Sequence, residues 1–171
     1  MTRTYIALLR AVNVGGAGKL PMAQLKAMCE AAGFERVRTY IASGNVVFAS
    51  SLGAAKVKAA LAARLAAYAG KPTGVAIRTA DELAAVLADN PFSRAAPNRT
   101  VAIFLDAPPP PDALERAVGV GSEEMWLGLR EIYVHYPSGQ GVSKLRIPAA
   151  AQGTARNMNT LARLVAMAGE P

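Results

Sequence analysis

The chain has 171 residues and a mass of 17.8 kDa; 52% of the residues are hydrophobic and 18% charged. That length fits one domain or two small subdomains sharing a core, and that composition excludes an intrinsically disordered chain. The net charge of +7 is uneven: residues 1–80 carry eleven Lys and Arg against two Glu, and residues 81–171 carry eight against ten acidic residues.

A basic half suits a phosphate-bearing partner, because clustered cations concentrate anions; it equally suits a solvated surface that keeps the chain soluble. Cys29 is the single cysteine, so no internal disulfide can form and a reducing compartment is expected. The N-terminus lacks a long apolar signal-like stretch, and no uncharged apolar segment reaches the roughly 18–20 residues of a membrane span. These features predict a cytoplasmic protein with no membrane association.

Tyr5–Leu9 is a short apolar run and reads as a buried strand. A glycine-rich loop follows, and Pro21 opens a helix, where its missing N–H costs nothing. Met22, Leu25, Met28, Cys29 and Ala32 recur at helical spacing until Gly33 supplies a stop. Val37–Ile41 and Val46–Phe48 read as strands flanking the turn Ser43-Gly44-Asn45. Residues 54–69 read as a helix ending at Gly70, and Gly74–Arg78 as a strand. The order is β-α-β-β-α-β.

The second half follows a similar plan. Asp81–Leu87 reads as a bridging helix before the turn at Asn90-Pro91. Thr100–Leu105 is an apolar strand, Pro108–Pro111 a stiff connection, and Asp112–Val118 a short helix. Glu124–Leu129 and Glu131–Tyr136 form a hairpin, and Thr154–Ala168 a closing helix. Residues 137–148 make a connection longer than a hairpin needs, a property of functional or mobile loops. The predicted fold is α/β of the α+β type: two intertwined ferredoxin-like subdomains, 1–79 and 80–171, with mostly antiparallel sheets and helices packed on them.

Three polar patches interrupt this apolar pattern: Arg10 to Lys19, containing Asn13, Gly15 and Gly16; Ser43-Gly44-Asn45; and Thr154 to Thr160, containing Arg156, Asn157 and Asn159. Their side chains donate hydrogen bonds, and none is a strong nucleophile or base. That chemistry suits holding an anion. The glycine loop lies between a strand and a helix, where such loops cradle phosphates. It fails the Walker A spacing, having Asn13 and Leu20 where Gly and Ser or Thr belong, and the dinucleotide pattern fails at Pro21.

In the closing helix, Met158, Leu161, Leu164, Val165 and Ala168 share an inward face, with Asn157 on its edge and Arg156, Asn159, Thr160 and Arg163 opposite. An arginine in a first turn opposes the helix dipole, and a bound anion would offset that cost. Alternatively, Thr154 caps the helix and Arg156 pairs with a carboxylate.

One His and one Cys supply no usual zinc site, so no metal or cofactor is expected. His135 reads as half-buried, Cys29 as a core residue and Trp126 as packing, while Glu123 and Glu124 face opposite ways on a strand.

The stretch Leu9-Arg10-Ala11-Val12-Asn13-Val14-Gly15-Gly16, with Lys19, Met22 and Leu25 behind it, resembles the opening of the bacterial domain-of-unknown-function 1697 family. Thr39 to Phe48 is similar to that family's second signature and Thr154 to Thr160 to its third. The departures are Ala11 in place of the usual Gly, Ala42 in place of a common Gln, and Met158 in place of the usual Trp. They remove a polar contact at Ala42 and a stacking surface at Met158. The resemblance implies two intertwined ferredoxin-like subdomains and brings no activity.

The expected function is binding of a phosphate-bearing small molecule or nucleic acid. Arg10, Lys19, Lys144 and Arg156 would neutralise charge, and Asn13, Gly15, Gly16, Ser43, Asn45, Asn157, Asn159 and Thr160 would shape and orient the site. The alternative is a transferase or hydrolase acting on a phosphorylated or carboxylated metabolite, with preorganised Arg and Asn stabilising its transition state. A third reading is a protein–protein adaptor using open sheet edges.

Overall fold

Alternating apolar strands and two short hairpin turns build an α+β fold with two four-stranded antiparallel sheets. The computed structural model describes residues 1–10, 20–41 and 43–170. Contacts divide the chain into two units: Met1–Ala84 with Arg163–Pro171, and Ala85–Ala162.

The first unit contains β1 (Arg3–Leu9), α1 (Met22–Ala31), β2 (Glu35–Tyr40), β3 (Asn45–Ser50), α2 (Ala54–Ala69) and β4 (Val75–Thr79). Its strand order is β2-β3-β1-β4, with Tyr5 opposite Phe48 and Ile6 opposite Arg78. Tyr5, Ala7, Leu9, Val46, Phe48 and Ile77 form one core with Leu25 and Cys29 of α1 and Val57, Leu61 and Leu65 of α2.

Phe34 stacks on Phe48 with ring centroids 4.3 Å apart and 7° between planes. Burying such a ring contributes about 1.5–3 kcal/mol. The alternate residues Ile6, Leu8 and Val47 are buried as well, so these strands read as continuous apolar runs.

Helix α2 has the predicted bounds; alanine favours it, and Gly70 ends it in the left-handed region at φ 74°. Pro21 stands one residue before α1, at φ −62°. β2 begins earlier than expected and carries an irregularity between Glu35 and Arg38, where Arg36 has φ 54°.

Helix α3 (Ala80–Ala88) follows β4 without a break. Thr79 and Glu82 cap it reciprocally: the Thr79 hydroxyl accepts from the Glu82 N–H at 3.1 Å and the Glu82 carboxylate from the Thr79 N–H at 2.8 Å.

The second unit contains β5 (Thr100–Phe104), β6 (Glu124–Leu127), β7 (Glu131–His135) and β8 (Thr154–Asn157) in the order β6-β7-β5-β8. Helix α4 (Met158–Ala168) follows β8 directly. The two sheets therefore have the same strand order, the second repeating the first four strands later. Their covers differ.

Residues 105–123 and 136–153 occupy the chain positions of α1 and α2, yet they hold only turns and two short 3-10 turns, Gln140–Val142 and Pro148–Ala150. A bridge between Val118 and Arg146 ties them together. Leu105, Ala113, Tyr136 and Ile147 from these segments pack with Val101, Ile132 and Val134 of the sheet.

Two expectations are corrected here. Asp112–Val118 is a series of turns in which Ala113 and Ala117 bond three residues back and only Arg116 bonds four back, to Asp112. So short a segment beside four prolines gains too few bonds to offset helix nucleation. The closing helix begins at Met158 rather than Thr154, because Thr154 to Asn157 pair with Phe104 to Val101 of β5. A sheet partner distant in sequence overrides the local helical preference of Ala155 and Arg156.

Candidate functional site

The C-terminal end of β1 is held from both sides. The Leu9 N–H donates to the Gly44 carbonyl, and the Arg10 N–H to the Gly74 carbonyl, each at 2.8 Å. Arg10 thus stands between the β2–β3 turn and the start of β4. Its aliphatic stem lies across Gly74: a Cβ there would sit 3.1 Å from the Arg10 Cβ and 3.2 Å from its Cδ.

In the adjoining turn, the buried Asn45 Nδ2 donates to the Tyr40 carbonyl at 2.9 Å and the Ser43 hydroxyl at 3.0 Å. Asn45 therefore ties the turn closed. Gly44 at φ 90° and Ile41 at φ 50° complete it, and left-handed backbone at a β-branched, half-exposed residue is strained. Arg10, Ser43 and Asn45 are brought together at this end of the first sheet. Asn13, Gly15, Gly16 and Lys19, with the family-departure positions Ala11 and Ala42, lie outside the described residues.

In the second unit, Arg156, Asn157 and Thr160 meet where β8 passes into α4. Arg156 is only 9% exposed, and its guanidinium donates to the Ala155 carbonyl at 2.9 Å. Burial lowers its pKa to about 10, which leaves it charged at neutral pH. It lies in a strand and not in a first helical turn, so the expected conflict with the helix dipole does not arise.

The cap is Asn157, whose Oδ1 accepts from the Thr160 N–H at 2.9 Å. Thr154 does not have that role. Thr160 is buried while Asn159 is exposed, so the two do not share one polar face. Met158 is also buried, which makes its position part of the packing and not a stacking surface. Lys144 lies elsewhere in this unit, beside a hollow of about 310 Å3 that Glu123 and Ser143 also line.

Sequence reading missed Arg78. It is 2% exposed and donates to the Ile77 carbonyl at 3.0 Å. Arg78 and Arg156 hold matching places: each lies on the strand beside the central one, opposite Ile6 or Ala102, and each precedes the residue that caps the next helix. The usable signal was an arginine closing the apolar run Val75-Ala76-Ile77, immediately before the capping pattern Thr79-x-x-Glu82.

Other groups carry less. His135 Nδ1 lies 3.2 Å from Glu124 Oε1, a cross-strand pair, with the Phe92 ring 6.0 Å away. Cys29 is buried, and desolvation, followed by the nearby Glu30 carboxylate, raises its thiol to about 12. The Gly121 N–H and then the Ser143 hydroxyl hold the Glu123 carboxyl below its ordinary value. Trp126, expected to pack, is 61% exposed, because β6 is an edge strand and Trp126 faces outward from it. Among the described residues, no group of three or more His, Cys, Asp or Glu is placed to hold a metal ion, and no helix is long and apolar enough to cross a membrane.

A family model described as a protein of unknown function (DUF1697) matches residues 1–133. A solved structure of a conserved bacterial protein from Streptococcus pneumoniae is similar to this chain, with 25% identity and a TM-score of 0.81. That likeness covers 98% of this chain and 99% of the other. No curated protein matches the chain.

Proposed function

The chain belongs to the DUF1697 family, and we propose that it binds a phosphate-bearing ligand, a nucleic acid or nucleotide-like metabolite, at the end of β1. The placement of Arg10 carries this reading. Its stem rests on Gly74, and its backbone is fixed between Gly44 and Gly74 where the chain enters the Gly15-Gly16-Ala17-Gly18-Lys19 sequence.

A guanidinium held by its backbone loses less freedom on meeting an anion, and charge-assisted bonds to phosphate are the strong kind. The excess of Lys and Arg over Glu in residues 1–80 adds long-range attraction. Arg156, buried and bonded to its own strand, fits a structural role better than a contact with ligand.

The test is a thermal-shift screen over nucleotides, sugar phosphates and short oligonucleotides. A ligand present at about 100 times its Kd adds roughly 2.7 kcal/mol of stability. Arg10→Ala should remove most of that gain, and for an oligonucleotide the gain should fall steeply with salt. No stabilisation at low salt by any member of the screen, or an undiminished gain in Arg10→Ala, refutes the proposal.

The adaptor reading has one observation in its favour: β6 is an edge strand bearing the exposed Trp126, with Leu129 exposed in the turn beyond it. Partner binding through this edge would quench or shift Trp126 fluorescence and be abolished by a proline at Met125.

A further inference from the structure

The irregular cover of the second sheet leaves a cavity of about 530 Å3, within the size range of small-molecule sites. Its walls are mainly aliphatic, including Ile103 of β5, Val118 of the first covering segment, and Ile147 and Ala150 of the second. Two polar residues join them, Tyr136 and Arg146, and no Asp or Glu is among the lining residues. Glu123, whose charge helps to raise the Tyr136 pKa behind the larger effect of burial, lines the neighbouring hollow instead.

The rim is built rather than loose. Val118 and Arg146 exchange backbone hydrogen bonds in both directions, at 2.9 and 2.8 Å. Gly119 passes so close to the Lys144 carbonyl that a Cβ would lie 2.2 Å from its oxygen. Gly153 admits the side chains of Leu105 and the wall residue Ile103 at close range, where a Cβ would sit 3.1 and 2.5 Å from them. The backbone of Arg146 is thereby fixed while its side chain remains exposed.

The geometry points to a second ligand site in this unit, for a small organic acid with an apolar body, a medium-chain acyl or aromatic carboxylate. The body would fill the aliphatic cavity, where a phosphate or sugar would lose its own hydration without compensating bonds. The carboxylate would sit at the rim against the Arg146 guanidinium, a pairing that is planar, bidentate and charge-assisted. This is a different site, ligand class and unit from the proposed phosphate site at β1.

The test is methyl NMR of the full chain titrated with sodium octanoate, with octanol as the uncharged control. Octanoate should shift the Ile103 and Ile147 methyl signals and saturate. Arg146→Ala, an exposed position, should weaken octanoate by about tenfold or more and leave octanol binding unchanged. Ala150→Phe should block both; if that variant fails to fold, Val118→Trp at the exposed rim replaces it. Unmoved Ile103 and Ile147 methyls at millimolar octanoate, or octanoate binding indifferent to Arg146→Ala, overturns the site.

Discussion

Gly119 offers the sharpest test of how the second unit is held together, because two separate effects converge on it. Its φ of 69° lies in the left-handed region, and the Cβ of an alanine would fall 2.2 Å from the Lys144 carbonyl oxygen and 2.9 Å from its carbon. The obstructing atoms are backbone, so Gly119→Ala must part the two segments. That sacrifices the paired hydrogen bonds between Val118 and Arg146.

Left-handed backbone costs an alanine about 1–2 kcal/mol, and each lost bond about 1 kcal/mol, giving about 3–4 kcal/mol in all. At roughly 2–4 °C per kcal/mol for a chain of this size, the melting temperature should drop by about 10 °C. Gly70→Ala is the internal control, with left-handed backbone at φ 74° and nothing within 4 Å of its Cβ, so it bears the backbone penalty alone. Differential scanning calorimetry of the two variants decides the matter. If they melt within about 2 °C of one another, the close approach contributes nothing and the reasoning fails.

Two further variants probe other parts of the fold. Asn157→Ala removes the cap bond to the Thr160 N–H and should cost about 1 kcal/mol in urea unfolding, most of it recovered in Asn157→Asp; an unchanged midpoint would sink the capping role. Cys29 keeps its proton to about 12 in the folded chain, against an ordinary value of 9.0. Between those values the folded state binds more protons than the unfolded state, so stability falls as pH rises. The loss at pH 10 relative to pH 7 is about 1.4 kcal/mol. Cys29→Ala should reduce the slope by that amount and leave the smaller part owed to Tyr133 and Tyr136, whose phenols burial also raises, while an unchanged slope would assign it to other groups.

What could be read from residues alone followed how local the causes are. β1, β3, β5 and β7 announce themselves as apolar runs, and α2 is framed by Gly53 and Gly70, so its ends were legible. β8 was not: Thr154-Ala155-Arg156-Asn157 becomes a strand only because β5 offers a free side, a fact some fifty residues away. The same blindness affected Arg156, whose role changed with its element.

Arg10, Ser43 and Asn45 could be grouped in advance because the turn before β3 was expected to lie beside the end of β1, and the antiparallel pairing of Leu8 with Asn45 sets it there. Arg78 was missed because a charged side chain in a buried strand leaves no periodic trace. The covers over residues 105–123 and 136–153 escaped notice for the opposite reason: four prolines and repeated glycines mark irregularity, but not that the segments would stand in for helices.

That substitution has a mechanical consequence. A helix is a self-bonded rod that resists bending wherever it rests. A lid of turns fastened at Val118 and Arg146 has almost no stiffness of its own and borrows it from the clasp. Breathing on that side of the second sheet therefore asks the clasp, the Ser143–Glu123 bond and the apolar contacts under the lid to yield, while the ladder beneath stays zipped and a guest enters without any strand parting.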